Sequence, residues 1–219
     1  MRPAGLSAEL ADHFDEVYRN ANGEASRVPW AECRPNPLLV EWLNVEAPRL
    51  VRPGSRAAVV GCGLGDDVVE LAHRGYDVVG FDISPTAIKW AARRHPDLNE
   101  RFAVADVLNL PPRLQRRFDL VVEVNTICSL DAGVRRQATA GIAGMLAPRG
   151  VVVVVSRGRE PERPVEECVG PPARTGNELV DLMLGAGLCV ARAEGGVDEH
   201  CERHEDPPLR TLCGAFARA

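Results

Sequence analysis

The chain has 219 residues, 45% of them hydrophobic and 26% charged, with a formal net charge of -5. That length and apolar share suit one globular domain, a sheet with helices on both faces, and argue against disorder. The acidic balance, with no Lys/Arg block, argues against nucleic acid as the main partner. Only Lys89 among the 26 basic residues is lysine, which reads as codon bias in a GC-rich bacterial genome.

No apolar run approaches the roughly 20 residues of a membrane span, and the first residues lack the apolar core of a secretory signal. The seven cysteines are odd in number and scattered, several within apolar runs such as Leu188-Cys189-Val190. Buried, reduced thiols in a cytoplasmic protein fit that usage.

The first predicted element is an amphipathic helix over Ser7–Asn20, with Leu10, Phe14 and Val17 on one face and Asn22-Gly23 as its stop. Prolines at 29, 35 and 37 then impose a stiff, extended segment bearing Trp30, followed by a helix over Leu38–Ala47. From Arg52 the pattern alternates. Strands are expected at Ala57–Val60, Asp77–Phe81, Phe102–Ala105, Asp119–Val124 and Val151–Ser156, with helices at Asp67–Arg74, Pro85–Arg94 and Ala132–Leu146. Val151–Val155 is an unbroken β-branched run, the mark of a strand covered on both faces in a parallel sheet. A charged, Pro-rich loop over Gly158–Arg174 follows, long enough to be a substrate loop. Thr175 then N-caps a helix to about Leu184. Strands Leu188–Ala193 and Thr211–Ala217, joined by an acidic loop, form a closing antiparallel hairpin. The expected fold is α/β, a Rossmann-like doubly wound seven-stranded sheet, mostly parallel with a reversed C-terminal strand. The whole of 1–219 is one domain, residues 1–50 a helical cap and 51–219 the core.

The first strand runs into Gly61-Cys62-Gly63-Leu64-Gly65-Asp66-Asp67 as a helix begins. Glycines there let the backbone turn tightly and approach a ligand, while the helix start offers free N–H donors. Two readings compete. A dinucleotide fingerprint needs a third glycine at position 66, where Asp66 stands, and two carboxylates at the helix start repel a diphosphate. They suit a cofactor with an ammonium group and a sulfonium centre. Asp82 ends the second strand, just before Ile83, placed to accept from both ribose hydroxyls, a feature NAD enzymes share. Asp106 ends the third and can accept from an adenine amino group, with Val107 or Leu108 donating a backbone N–H to the ring. Glu123 and Asn125, at the end of the fourth strand, open onto the ligand crevice.

This series resembles the signature of the class I S-adenosylmethionine-dependent methyltransferases over about residues 50–157. The resemblance implies that Gly61 and Gly63 line the methionine moiety, Asp82 the ribose and Asp106 the adenine. The segment Pro29-Trp30 with Pro35-Asn36-Pro37-Leu38-Leu39 is similar to the thiopurine and thiol/halide methyltransferase group, which implies that Trp30 covers the cofactor and that the acceptor is sulfur or another soft heteroatom. The Gly-Asp pair that follows the tryptophan in that group is Ala31-Glu32 here.

Methyl transfer is an in-line displacement from a good leaving group, so no catalytic residue is obligatory. Tyr18, Arg157 and His200 are the candidates to face a small-molecule acceptor. Cys128 reads as a buried structural thiol. His200, Cys201 and His204 have no second ligand cluster nearby, so no metal is expected. An O- or N-methyltransferase, an NAD-dependent oxidoreductase and an inactive S-adenosylmethionine-binding protein remain as alternatives.

Overall fold

The computed structural model describes residues 6–165, 168, 172–191, 197–202 and 209–218. His204 lies outside the described residues. The chain divides into two compact units, Met1–Gln115 and Arg116–Ala219.

The first unit carries α1 (Leu6–Ala21), α2 (Pro37–Val45), α3 (Ala47–Leu50), β1 (Arg56–Val60), α4 (Asp66–His73), β2 (Asp77–Asp82), α5 (Pro85–Arg94) and β3 (Phe102–Val104). Its strands lie in the order β3-β2-β1, all parallel, with Ala58 opposite Val79 and Gly80 opposite Phe102. Parallel neighbours need a crossover, and α4 and α5 supply it. Ser84 caps α5 by accepting from the Ala87 N–H at 2.9 Å, and Pro85 takes the first helical position, where a missing N–H costs nothing. The first helix ends as its Asn-Gly stop predicts, with Asn22 and Gly23 both at positive φ. Its buried face, Tyr18 and Ala21, clusters with Val28, Leu64, Ala87 and Trp90, so α1 packs on α5.

The second unit carries β4 (Phe118–Val124), α6 (Ala132–Met145), β5 (Leu146–Gly158), α7 (Gly176–Gly185), β6 (Leu188–Val190), β7 (Val197–Glu202) and β8 (Leu209–Arg218). β4 and β5 are parallel, with Glu123 opposite Val154. β8 runs antiparallel to β5 and also pairs with β6, so the strand order is β4-β5-β8-β6 and the C-terminal strand is reversed as expected. Val152–Val155 are fully buried, which is why this strand is so plain in the sequence. Thr175 caps α7 in a reciprocal box with Glu178.

Among the described residues there are eight strands, one more than the sequence predicts. β7 occupies part of the expected acidic loop and pairs with β8, Val197 opposite Gly214 and His200 opposite Thr211. Its sequence, Val-Asp-Glu-His-Cys-Glu, has no alternating apolar face. No helix among the described residues is long and apolar enough to cross a membrane.

Candidate cofactor site

In the first unit the loop from Gly61 to Gly65 is built of backbone that other residues rarely adopt: Gly61, Gly63 and Gly65 have φ of 60°, 51° and 91°. At Gly65 a Cβ would stand 2.8 Å from the Phe102 ring, so the helix start is packed closed on one side. At Gly63 a Cβ would meet the Tyr18 hydroxyl at 3.0 Å. The Gly63 N–H turns to the end of β2 and donates to Asp82 Oδ2 at 3.0 Å, while the Ser84 N–H donates to Oδ1 at 2.9 Å. Burial pushes the Asp82 carboxyl up, and the backbone N–H groups of Ser84 and Gly63 counter that shift. A further bond from the Ile83 N–H leaves the carboxylate acceptor capacity for one more donor.

Tyr18 closes over this loop from α1. It is 3% exposed, and its hydroxyl accepts from Trp30 Nε1 at 2.8 Å, leaving its own proton to donate. Burial, with the nearby Asp82 charge, drives the phenol well above its ordinary value, so it stays protonated. Trp30 meets Phe14 and Tyr18 edge-on, and its ring is 45% exposed. At the end of β3, Asp106 Oδ1 accepts from the Leu108 N–H at 2.8 Å. Its other oxygen is buried and has no hydrogen-bond partner among the described residues.

The two aspartates at the start of α4 are otherwise engaged. Arg94 forks onto Asp66, each oxygen at 2.9 Å, and also donates to the Leu64 carbonyl. Asp67 accepts from the Asn36 N–H at 2.8 Å, and burial pushes its carboxyl up to about 6. The expected welcome of these carboxylates for a cationic ligand is therefore replaced by internal pairing: Asp66 faces Arg94, and Asp67 fastens the Pro-rich segment. A pair 28 residues apart has no local signal in the sequence.

In the second unit, Glu123 is fully buried at the end of β4. Its Oε1 accepts from the N–H groups of Thr126 (2.6 Å) and Ile127 (2.9 Å), and its Oε2 has no partner among the described residues. Burial pushes this carboxyl up to about 7. Asn125 turns the chain at φ 57°. Cys128 is buried, its thiol donating to the Asn125 carbonyl at 3.1 Å, and burial raises it, as an inert structural thiol requires. Arg157 is half-buried, with its carbonyl accepting from the Arg174 N–H, and His200 is half-buried on β7.

Residues 58–150 match the family described as Methyltransferase domain. A probable thiol methyltransferase 2 of Arabidopsis thaliana is 30% identical over 186 residues, 78% of this chain and 77% of the relative. The chain belongs to the class I S-adenosylmethionine-dependent methyltransferases. Among solved structures, one described for the conversion of a disulfide bond into a thioacetal group during echinomycin biosynthesis is 26% identical and covers 95% of this chain and 92% of that one, with a TM-score of 0.73. The 1,6-didemethyltoxoflavin-N1-methyltransferase of Burkholderia thailandensis, solved with bound 1,6-didemethyltoxoflavin and S-adenosylhomocysteine, shares the fold at a TM-score of 0.71 and 18% identity, covering 99% of this chain and 92% of that one. The cofactor of this methyltransferase is S-adenosylmethionine, and its sheet is the Rossmann-like α/β sheet of the class.

Within the methyltransferase, Gly63 and Asp82 meet directly, and Tyr18 stands over them rather than apart. Sequence reasoning missed Arg94, Asp15 and Arg174. Asp15 accepts from Ser84 Oγ (2.6 Å) and the Thr86 N–H (2.8 Å), which ties α1 to the start of α5. The one legible trace of these is Arg174, a charged residue directly before the cap of α7.

Proposed function

We propose that this methyltransferase moves a methyl group from S-adenosylmethionine to a sulfur atom of a small molecule. The similarity to a thiol methyltransferase over more than three quarters of both chains carries this reading. Bound S-adenosylmethionine supplies an activated methyl group. The chain's own task is then to hold the donor and orient the acceptor, since proximity accounts for most of the rate in such a displacement.

In this reading Gly61, Cys62 and Gly63 present backbone to the methionine moiety, and Asp82, with Ile83 beside it, accepts from the ribose hydroxyls. The unpartnered oxygen of Asp106 receives the adenine amino group. Because Leu108 already donates to Asp106, Val107 is the N–H offered to the ring. Tyr18 is assigned to the cofactor loop instead of to the acceptor, and Trp30 positions its hydroxyl. Labelled S-adenosylmethionine tested with thiols, selenols, halides, phenols and carboxylates decides the acceptor. Transfer confined to oxygen or nitrogen acceptors rejects sulfur.

A further inference from the structure

At the carboxyl ends of β4 and β5 the second unit holds three buried polar groups with nothing to bind among the described residues: Glu123 Oε2, Ser156 Oγ, and both Nη atoms of Arg174. They belong to one neighbourhood. Glu123 is opposite Val154 in the parallel register, so Ser156, two residues further along β5, points to the same sheet face. Arg174 is bridged to Gly158, the next residue on that face, with its N–H on the Arg157 carbonyl at 3.2 Å and its carbonyl taking the Arg159 N–H at 2.7 Å. The charges of Glu123 and Arg174 act on each other, yet no hydrogen bond joins them.

Neighbouring arginines are committed to the fold. Arg135 donates to the carbonyls of Ile127 (2.9 Å) and Leu130 (2.5 Å), and Arg159 pairs with Glu178. Arg174 is 6% exposed with its fork open. A buried guanidinium and a buried carboxylate left unpaired are costly, and a shape-filling apolar residue would remove that cost. Their persistence side by side suits a group that accepts at one side and donates at the other.

Resting on the sulfur-transfer reading, we propose that this cluster of polar groups holds the acceptor's ionisable group: Arg174 receives the anion and Glu123 takes the proton, so the acceptor class is a small acid, foremost a thiol. In the step, the S–H bond breaks and its proton passes to Glu123 Oε2. The sulfur's electron pair forms the new bond to the methyl carbon, and the pair of the old methyl–sulfonium bond stays with the departing thioether. One proton is released in sum. Glu123 suits this role, since burial pushes it up to about 7, against the pull of the Ile127 and Thr126 N–H groups and of Arg174. Arg174 is brought down to about 10 by burial, then by Arg135, and is raised again by Cys128, Glu123 and Glu178, so it remains a cation at neutral pH.

The test compares an alkyl thiol that is neutral at pH 7 (ethanethiol) with thiocyanate, which has no proton to lose, in the wild type, Arg174→Met, Arg174→Lys and Glu123→Gln. Arg174→Met should raise the KM of both acceptors about tenfold or more while the Kd for S-adenosylhomocysteine stays within about twofold, and Arg174→Lys should fall between. The wild-type kcat/KM for the thiol should rise with pH through about 7. Glu123→Gln should abolish that limb for the thiol and slow thiol transfer at least about tenfold more than thiocyanate transfer. Should Arg174→Met fail to fold, Arg174→Lys and the Glu123→Gln comparison carry the test. Unchanged acceptor KM in the arginine variants, or equal slowing of thiol and thiocyanate by Glu123→Gln, overturns this inference alone. Wild-type protein that transfers methyl to no sulfur acceptor overturns the reading beneath it.

Discussion

The backbone N–H of Asn36 donates to Asp67 Oδ1 at 2.8 Å, fastening the Pro-rich segment to the first turn of α4 across 31 residues of sequence. The same Asn36 uses its side chain to cap α2, accepting from Leu38 and Leu39. One residue thus sets both the entry to a helix and its attachment to the glycine loop. The cost falls on Asp67, whose carboxyl is pushed up to about 6 by burial, with Asp66 adding repulsion that the Asn36 bond only partly offsets.

This sets a sign for the pH dependence of stability. The native state binds the Asp67 proton more tightly than the unfolded chain, whose carboxyl titrates near 3.8. Stability from this group is full below about 4 and is lost as pH rises through about 6. Asp67→Asn keeps an acceptor for Asn36 without the charge. The variant should therefore gain on the wild type between pH 4.5 and 7.5, by roughly 1–3 kcal/mol. Urea unfolding at the two pH values measures it, and a pH-independent difference would show that Asp67 is ionised at no special cost.

Gly63→Ala combines a left-handed backbone position with a Cβ placed 3.0 Å from the Tyr18 hydroxyl. The backbone alone costs about 1–2 kcal/mol. Removing the hydroxyl in Tyr18→Phe relieves the contact but not the strain, so the double variant should recover part of the loss. Melting temperature and S-adenosylhomocysteine affinity in a double-mutant cycle read the coupling. Strict additivity would mean that Tyr18 and Gly63 do not meet.

Asp106→Asn keeps an oxygen for the Leu108 N–H and puts a donor where the unpartnered oxygen stands. If the adenine amino group belongs there, two donors now face each other. Affinity for S-adenosylhomocysteine should fall by about 1–3 kcal/mol, with folding stability nearly unchanged. Calorimetry decides it: equal affinity removes Asp106 from the adenine site.

Much of this was legible locally. The five valines of β5, the Ser84-Pro85 start of α5, the Thr175 cap and the Asn22-Gly23 stop are signals carried within a few residues, because burial on two faces and orphan helix donors constrain sequence directly. The glycine loop and Asp82 could be read because their spacing is fixed by one strand–helix–strand unit. What escaped is non-local. Arg94 on Asp66, Asn36 on Asp67, and the Glu123–Arg174 neighbourhood join segments that only the tertiary fold brings together, and a charge read from sequence carries no sign of its partner. Asp66 and Asp67 illustrate this: both sit where expected at the helix start, with their charge spent inside the protein. β7 escaped for a different reason, since its stability comes from pairing with β8 and not from an apolar face.

Asp15 makes the last case, because it links the cap to the cofactor loop through α1. Burial raises its carboxyl, but the bonds from Ser84 and Thr86 and the charge of Arg19 outweigh that and leave it lowered. A lowered carboxyl contributes stability that is present above about 3.8 and lost as pH falls through its native value. Asp15→Ala should cost about 1–3 kcal/mol by leaving the Thr86 N–H and the Ser84 hydroxyl without their partner. It should also loosen the last turns of α1, and with them Tyr18 over Gly63. Hydrogen exchange of the amides of residues 14–21 should rise more than that of α4, and S-adenosylhomocysteine binding should weaken although removing Asp15 also takes a repelling charge away from Asp82. If exchange rises evenly through the first unit instead, Asp15 supports the unit as a whole and the anchoring of α1 to α5 is not its particular role.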